Sequence, residues 1–150
     1  MTDHLESRIR QIEDRILIGE CVIRYALGVD RRDWKMFAEC FTDPVYIDHS
    51  QNGLLAADYA REDFVAIVRD AVSGFAATQH LSPNHVIELD AEEHDRATCY
   101  SYMYAQHYTR SPDGGRVLVV HGSYTNFMVR TGDGWRIAKQ VQHVGWTDDD

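Results

Sequence analysis

The chain has 150 residues, 44% hydrophobic and 26% charged, which suits one globular domain able to bury a core and still leave a pocket. Fifteen basic against 24 acidic side chains give a formal charge of −9, a balance that repels phosphate backbones and anionic membranes and argues against nucleic acid or lipid partners. Cys21, Cys40 and Cys99 are odd in number and widely spaced, without a CxxC pair, so neither a disulfide framework nor a thiolate zinc site is indicated.

The opening MTDHLESRIRQIEDR is charged and lacks the apolar stretch of a signal peptide, and no later run is long enough to cross a bilayer. A cytoplasmic protein is expected. Ile9, Ile12, Ile16, Ile23 and Leu27 keep helical spacing and predict a long amphipathic helix facing the core over about residues 7–30, with Gly28 near its end. Asp33 can cap a second short helix through Trp34, Phe37 and Phe41, which Pro44 stops. VYIDHS reads as a short strand and QNG as a turn. From Asp58 to about Gly74, Phe64, Ile67, Val68 and Ala71 return to helical spacing and predict a third helix.

After that the period changes. HVIELD, RATCYSYMYAQHYT, RVLVVHGSYTNFMVR and WRIAKQVQHVGW are strand-like, separated by AEEHD, SPDGG and TGDG, which carry the turn chemistry of hairpins. Helices first and an antiparallel meander after them predict an α+β fold: three helices packed on a strongly curved antiparallel sheet, a cone with an apolar interior suited to a small molecule. Residues 1–150 form one domain in this reading, with residues 147–150 as a solvated acidic tail. In the strand starting at Arg96, Tyr100, Tyr102, Tyr104 and Tyr108 share one face, and Cys99, Ser101, Met103, Ala105 and His107 the other. The second set is mostly small and is assigned to the cavity, leaving the tyrosines for the outer face and a subunit contact. The reverse parity stays open on sequence alone.

Two residues raise a chemical question. Asp30 follows the first helix in YALGVDRRDW, and His80 lies in ATQHLSPN at a strand entry. Singly, the first reads as an exposed helix-end acid and the second as a structural histidine. As a pair they read differently, because a buried carboxylate can fix an imidazole tautomer and support the imidazolium, making the other ring nitrogen a competent base. His49, His121 and His143 could supply metal ligands on paper, but no HxH or HExxH spacing occurs, and no metal is expected. The chain has no GxGxxG, no P-loop and no GxSxG, so nucleotide cofactors and serine hydrolysis are disfavoured.

In order and spacing, YALGVDRRDW, TQHLSPN, GSYTNFMVR and the closing DGWRIAKQ resemble the nuclear transport factor 2-like superfamily, in its SnoaL-like branch with scytalone dehydratase and γ-hexachlorocyclohexane dehydrochlorinase. The resemblance implies cofactor-free chemistry in which Asp30 and His80 act as a catalytic dyad that abstracts a proton. It also implies that Tyr25, His49, His107, Ser123, Asn126 and Arg130 contact the substrate. Val29 and His49 stand where the dehydratase has two tyrosines that hold a water, which points away from dehydration of a scytalone-like compound. The expected activity is that of a lyase or isomerase acting on a small, largely apolar substrate. Two alternatives remain: a non-catalytic ligand-binding or assembly subunit, and a polyketide cyclase. Relatives form dimers or trimers, so self-association is expected.

Overall fold

The structure, a computed structural model, describes residues 2–149. Helix α1 (Thr2–Arg31) buries Ile18, Val22, Tyr25 and Val29, spaced by four, three and four residues along one face. Ile9, Ile12, Ile16 and Ile23 lie on the other side and are 46–57% exposed. The helix was therefore correctly expected, but its isoleucine stripe does not face the core. Two apolar stripes run along this helix, and periodicity alone does not say which meets the sheet.

At the end of α1, Arg32 adopts a left-handed conformation (φ 57°), and the Asp33 amide reaches back to the Gly28 carbonyl at 2.9 Å. The Asp33 side chain then caps α2 (Trp34–Ala38) by accepting the Met36 amide at 2.9 Å. A Cβ on Gly28 would stand 2.8 Å from the Phe37 nitrogen, so α2 packs this closely only because residue 28 has no side chain. Phe41 belongs to the first strand and not to α2.

The strands are β1 (Phe41–His49), β2 (Leu54–Tyr59), β3 (Ala77–Leu81), β4 (Val86–Leu89), β5 (Arg96–Ser111), β6 (Gly114–Thr131) and β7 (Gly134–Asp149). Helix α3 (Arg61–Val72) connects β2 to β3. It starts later than expected because Leu54–Tyr59 pairs with β1 as a strand. Sheet order is β2-β1-β7-β6-β5-β3, with β4 on the same edge of β5 as β3 but at its opposite end. The pairs are antiparallel except β1 with β7, which run parallel, so the sheet is mixed and open, where an all-antiparallel sheet was expected. Residues 147–149, expected as part of a solvated acidic tail, have exposed side chains and continue the backbone of β7 opposite Leu118–Val120; Asp150 lies outside the described residues.

The helices cover the concave face of this sheet and give the cone-shaped α+β architecture. Phe37, Phe41, Phe64 and Tyr25 form its aromatic centre, with ring centroids 5.0–5.9 Å apart. Cys99, Ser101, Met103 and Ala105 are buried on the concave face, while Tyr100 and Tyr102 are exposed on the convex one, as the alternation in β5 predicts. No helix among the described residues is long and apolar enough to cross a membrane.

Candidate active site

Asp30 is carried by the last turn of α1 and His80 by edge strand β3, which pairs His80 with Ala105 and Thr78 with His107. Directly paired residues share a face, so His80, Thr78 and His107 all belong to the concave side. The His80 Nδ1–H donates to Asp30 Oδ1 at 2.7 Å, and the His80 backbone amide donates to Asp30 Oδ2 at 2.8 Å. The Thr78 hydroxyl donates to Asp30 Oδ1 at 3.0 Å. Three donors thus fix both carboxylate oxygens. Burial raises the Asp30 pKa, but the bonds from the His80 ring, the His80 amide and Thr78 outweigh it and hold the carboxyl below its ordinary range. The ionised carboxylate obliges Nδ1 to carry a proton, so that in the neutral ring the lone pair sits on Nε2. Among the described residues Nε2 has no hydrogen-bond partner.

Arg32 braces the pair from behind. Its guanidinium donates to the Val29 carbonyl at 2.7 Å, the Thr78 hydroxyl at 2.9 Å and the Val72 carbonyl at 3.3 Å. One side chain thereby ties the C-terminal ends of α1 and α3 to β3, and sets the Thr78 hydroxyl to donate toward Asp30.

His107 lies edge-on to His80, with ring centroids 5.4 Å apart. Burial, and then the neighbouring His80, lower its pKa, which favours a neutral ring. Among the described residues, its buried Nδ1 and the hydroxyl of fully buried Ser101 have no hydrogen-bond partner.

Deeper in the cone two further polar groups meet. The Tyr25 hydroxyl donates to the Tyr124 hydroxyl at 3.3 Å, and Gln142 Nε2 donates to the same oxygen at 3.1 Å. Tyr124 then has its own proton left to give. Burial raises the pKa of both phenols, Tyr25 well above the ordinary value, so they are neutral donors. Beside them, His49 Nε2–H donates to Gln140 Oε1 at 2.9 Å, and Gln140 Nε2 donates to Asn126 Oδ1 at 2.8 Å. Burial lowers the His49 pKa and favours its neutral ring.

Of the residues singled out in the sequence, Asp30, His80, His107, Tyr25, His49 and Asn126 therefore come together on the concave side. Ser123 does not: it pairs with Tyr102 and His143 and has the opposite parity to inward-facing Tyr124. Nor does Arg130, whose guanidinium bonds Asp14 at 2.8 Å and lies 4.6 Å over the Trp135 ring, while Trp135 Nε1 donates to Asp14 at 3.1 Å. This cluster anchors the first half of α1 to the far end of β6. It lines a surface hollow of about 830 Å³ whose lining includes neither Asp30 nor His80. A hollow of about 510 Å³ lies instead against Asp30 and Thr78 at the β3–β5 edge, bordered by Ala77, Gln79, Gln106 and Tyr108. His49, His121 and His143 are dispersed: His49 is interior, His121 stacks on exposed Trp146, and His143 meets Gln51.

Comparison with known proteins agrees with this fold. The sequence profile described as a SnoaL-like domain matches residues 10–141. The solved structure of Kfla4162 from Kribbella flavida superposes with a TM-score of 0.84 at 31% identity, covering 92% of this chain and 95% of that one. Two more distant structures share the fold. A candidate scytalone dehydratase from Novosphingobium aromaticivorans has a TM-score of 0.79 at 18% identity, covering 100% and 92% of the two chains. The hexachlorocyclohexane dehydrochlorinase LinA-type3 from Novosphingobium barchaimii has a TM-score of 0.78 at 15% identity, covering 95% and 94%.

Proposed function

Because the chain belongs to the SnoaL-like domain family, whose fold also serves a dehydratase candidate and a dehydrochlorinase, we propose that it is a cofactor-independent lyase or isomerase. The observation that carries this reading is the Asp30–His80 hydrogen bond of 2.7 Å, which leaves Nε2 of a concave-side histidine unpartnered. Nε2 takes a proton from an acidic C–H of a small, largely apolar substrate. The electron pair left on carbon either expels a group from the neighbouring carbon, giving an alkene, or moves into an adjacent carbonyl, giving an enolate. Asp30 stabilises the imidazolium formed. Neutral Tyr124, already accepting from Tyr25 and Gln142, has a hydrogen to donate to a developing oxyanion or to a departing group, and His107 is a second candidate beside the base.

Elimination, isomerisation and cyclisation share the first step, so the test is placed there. Small carbonyl and β-halogenated compounds are incubated in D2O with the enzyme, and deuterium incorporation or halide release is followed by NMR and mass spectrometry. Exchange or release by the wild type that disappears in His80→Ala supports the reading. Compounds that bind and return unchanged and undeuterated would leave a ligand-binding module in its place.

A further inference from the structure

The first half of α1 carries an apolar stripe that no other described part of the chain covers. Leu5, Ile9, Ile12 and Ile16 recur at intervals of four, three and four residues, and they are 55%, 46%, 57% and 56% exposed. That is the seam of a coiled coil, with isoleucine at the a positions 9 and 16 and Leu5 and Ile12 at d. It lies opposite the side of the helix that buries Ile18, Val22 and Tyr25, so a partner helix can approach without meeting the domain that carries it. The seam's continuous part ends at Ile16, because Gly19 is turned toward His85, 3.3 Å from where its Cβ would stand.

The charges beside the seam choose the occupant. Every e position is acidic, Glu6, Glu13 and Glu20, and the g positions 8 and 15 are both arginine. In a parallel pair each g residue meets the e residue five positions later on the other helix, which sets Arg8 against Glu13 and Arg15 against Glu20 on both sides of the seam. An antiparallel pair would oppose arginine to arginine and glutamate to glutamate. Among the described residues, none of Arg8, Glu13, Arg15 and Glu20 makes an ion pair within the chain. Arg15 donates to the Ile87 carbonyl, which uses one of its five N–H groups. We propose that the exposed seam from Leu5 to Ile16 docks a second copy of this chain, α1 against α1, in parallel register.

A seam of this length would not hold two isolated peptides together. Here the helix is already nucleated by its packed second half, so pairing does not bear the cost of forming it. β-branched residues at a with Leu or Ile at d suit two or three strands; the complementary flanks are satisfied by two.

The test uses the full chain. Sedimentation velocity over a range of concentrations should give a dimer for the wild type and a monomer for Ile9→Lys/Ile16→Lys, whose far-UV circular dichroism stays unchanged because both side chains are exposed. Leu5→Cys, placed at a d position near the helix start, should cross-link to a covalent dimer under mild diamide oxidation, since parallel register brings residue 5 to residue 5; the native cysteines are buried. Arg8→Glu/Arg15→Glu and Glu13→Arg/Glu20→Arg should each be monomeric alone and form a mixed dimer when combined. A monomeric wild type, or a dimer that survives the lysine substitutions and does not cross-link in the Leu5→Cys variant, would overturn the proposal.

Discussion

His80 and His49 both face the concave side of one sheet, and each ring is held by one neighbouring side chain, but the partners differ in kind. His80 meets a carboxylate at 2.7 Å through Nδ1, whereas His49 meets the amide oxygen of Gln140 at 2.9 Å through Nε2. A carboxylate lowers the free energy of the protonated ring; an amide orients the ring without supplying charge. The surroundings repeat the contrast. Asp30 gathers donors from His80 and Thr78, while Gln140 passes the His49 contact on to Asn126 and closes a neutral chain. Position in the cone therefore does not make a histidine a base. The charge behind it does.

The largest expected effect breaks the pair apart. His80→Ala should lower kcat/KM for proton abstraction by about 10²–10⁴-fold with the fold intact, as loss of a positioned general base does. His49→Gln, which keeps a hydrogen-bonding group beside Gln140, should stay within about tenfold, the scale of one hydrogen bond. Equal losses at both positions would dissolve the distinction. Asp30→Asn comes next. It keeps the shape, removes the charge that favours the imidazolium, and leaves a weaker base. The acid limb of the pH–rate profile should move to lower pH and the maximal rate should fall by about tenfold or more, since the opposite charge that favours the imidazolium is gone. A lower rate with the limb unmoved would mean that Asp30 only positions the ring.

How much of this was legible before the structure follows from where each signal lies. Asp30 and His80 were found because each sits in a short string with an interpretable boundary, a helix end and a strand entry. Tyr124, Gln142 and Gln140 were not singled out, although part of the signal was present. Counting back from the Ser111–Gly114 pair at the β5–β6 turn puts Ser101 opposite Tyr124 and Cys99 opposite Asn126, so the inward parity of Cys99 carries Tyr124 and Asn126 with it and sends Ser123 outward. The partners on β7 could not be counted in this way, because the register shifts between His121 and Gly122 and again between Phe127 and Met128. A Cβ on Gly122 would stand 1.9 Å from the His143 carbonyl oxygen, so the first shift depends on that glycine. Arg130 looked like a strand-end cation free to reach a substrate, and nothing local showed that Asp14, far away in sequence, would take it. The isoleucine stripe of α1 was misassigned for a related reason: burial is a property of the partner surface, and the sequence of one helix does not contain it.

A smaller effect tests what stands behind the dyad. Thr78→Val removes the hydroxyl that accepts from Arg32 and donates to Asp30. Asp30 keeps two donors from His80, so the expected loss in kcat is about threefold to tenfold, the worth of one hydrogen bond. The acid limb of the pH–rate profile should move slightly upward, because one bond that favours the ionised carboxylate over the shared proton is gone. Thr78→Ser should restore both quantities. Failure of serine to rescue would assign the effect to packing at the β3 edge.

The smallest effect appears in stability and belongs to His49. Burial depresses its pKa in the folded protein, whereas in the unfolded chain the ring titrates near its ordinary value of about 6.5. Between those two values the unfolded chain binds a proton that the folded chain refuses, so stability is complete above about pH 6.5 and is lost as pH falls through the folded pKa. His107, depressed by burial and by His80, adds to the same window. Asp30 and Asp14 are depressed too, but their contributions are lost only at more acidic pH, below the ordinary carboxylate range of about 3.9. The slope of unfolding free energy against pH just below 6.5 is therefore a histidine signal, bounded by about 1.4 kcal/mol per pH unit for each proton taken up. His49→Gln, measured by urea unfolding from about pH 7.5 to about pH 5, a range that brackets the ordinary histidine value, should flatten that slope while the acid limb of catalysis stays where His80 and Asp30 put it. If the slope is unchanged, His49 is solvated in the folded state and its bond to Gln140 does not exclude the charged ring. If the catalytic limb moves with it, the two histidines share one electrostatic site and the contrast between them fails.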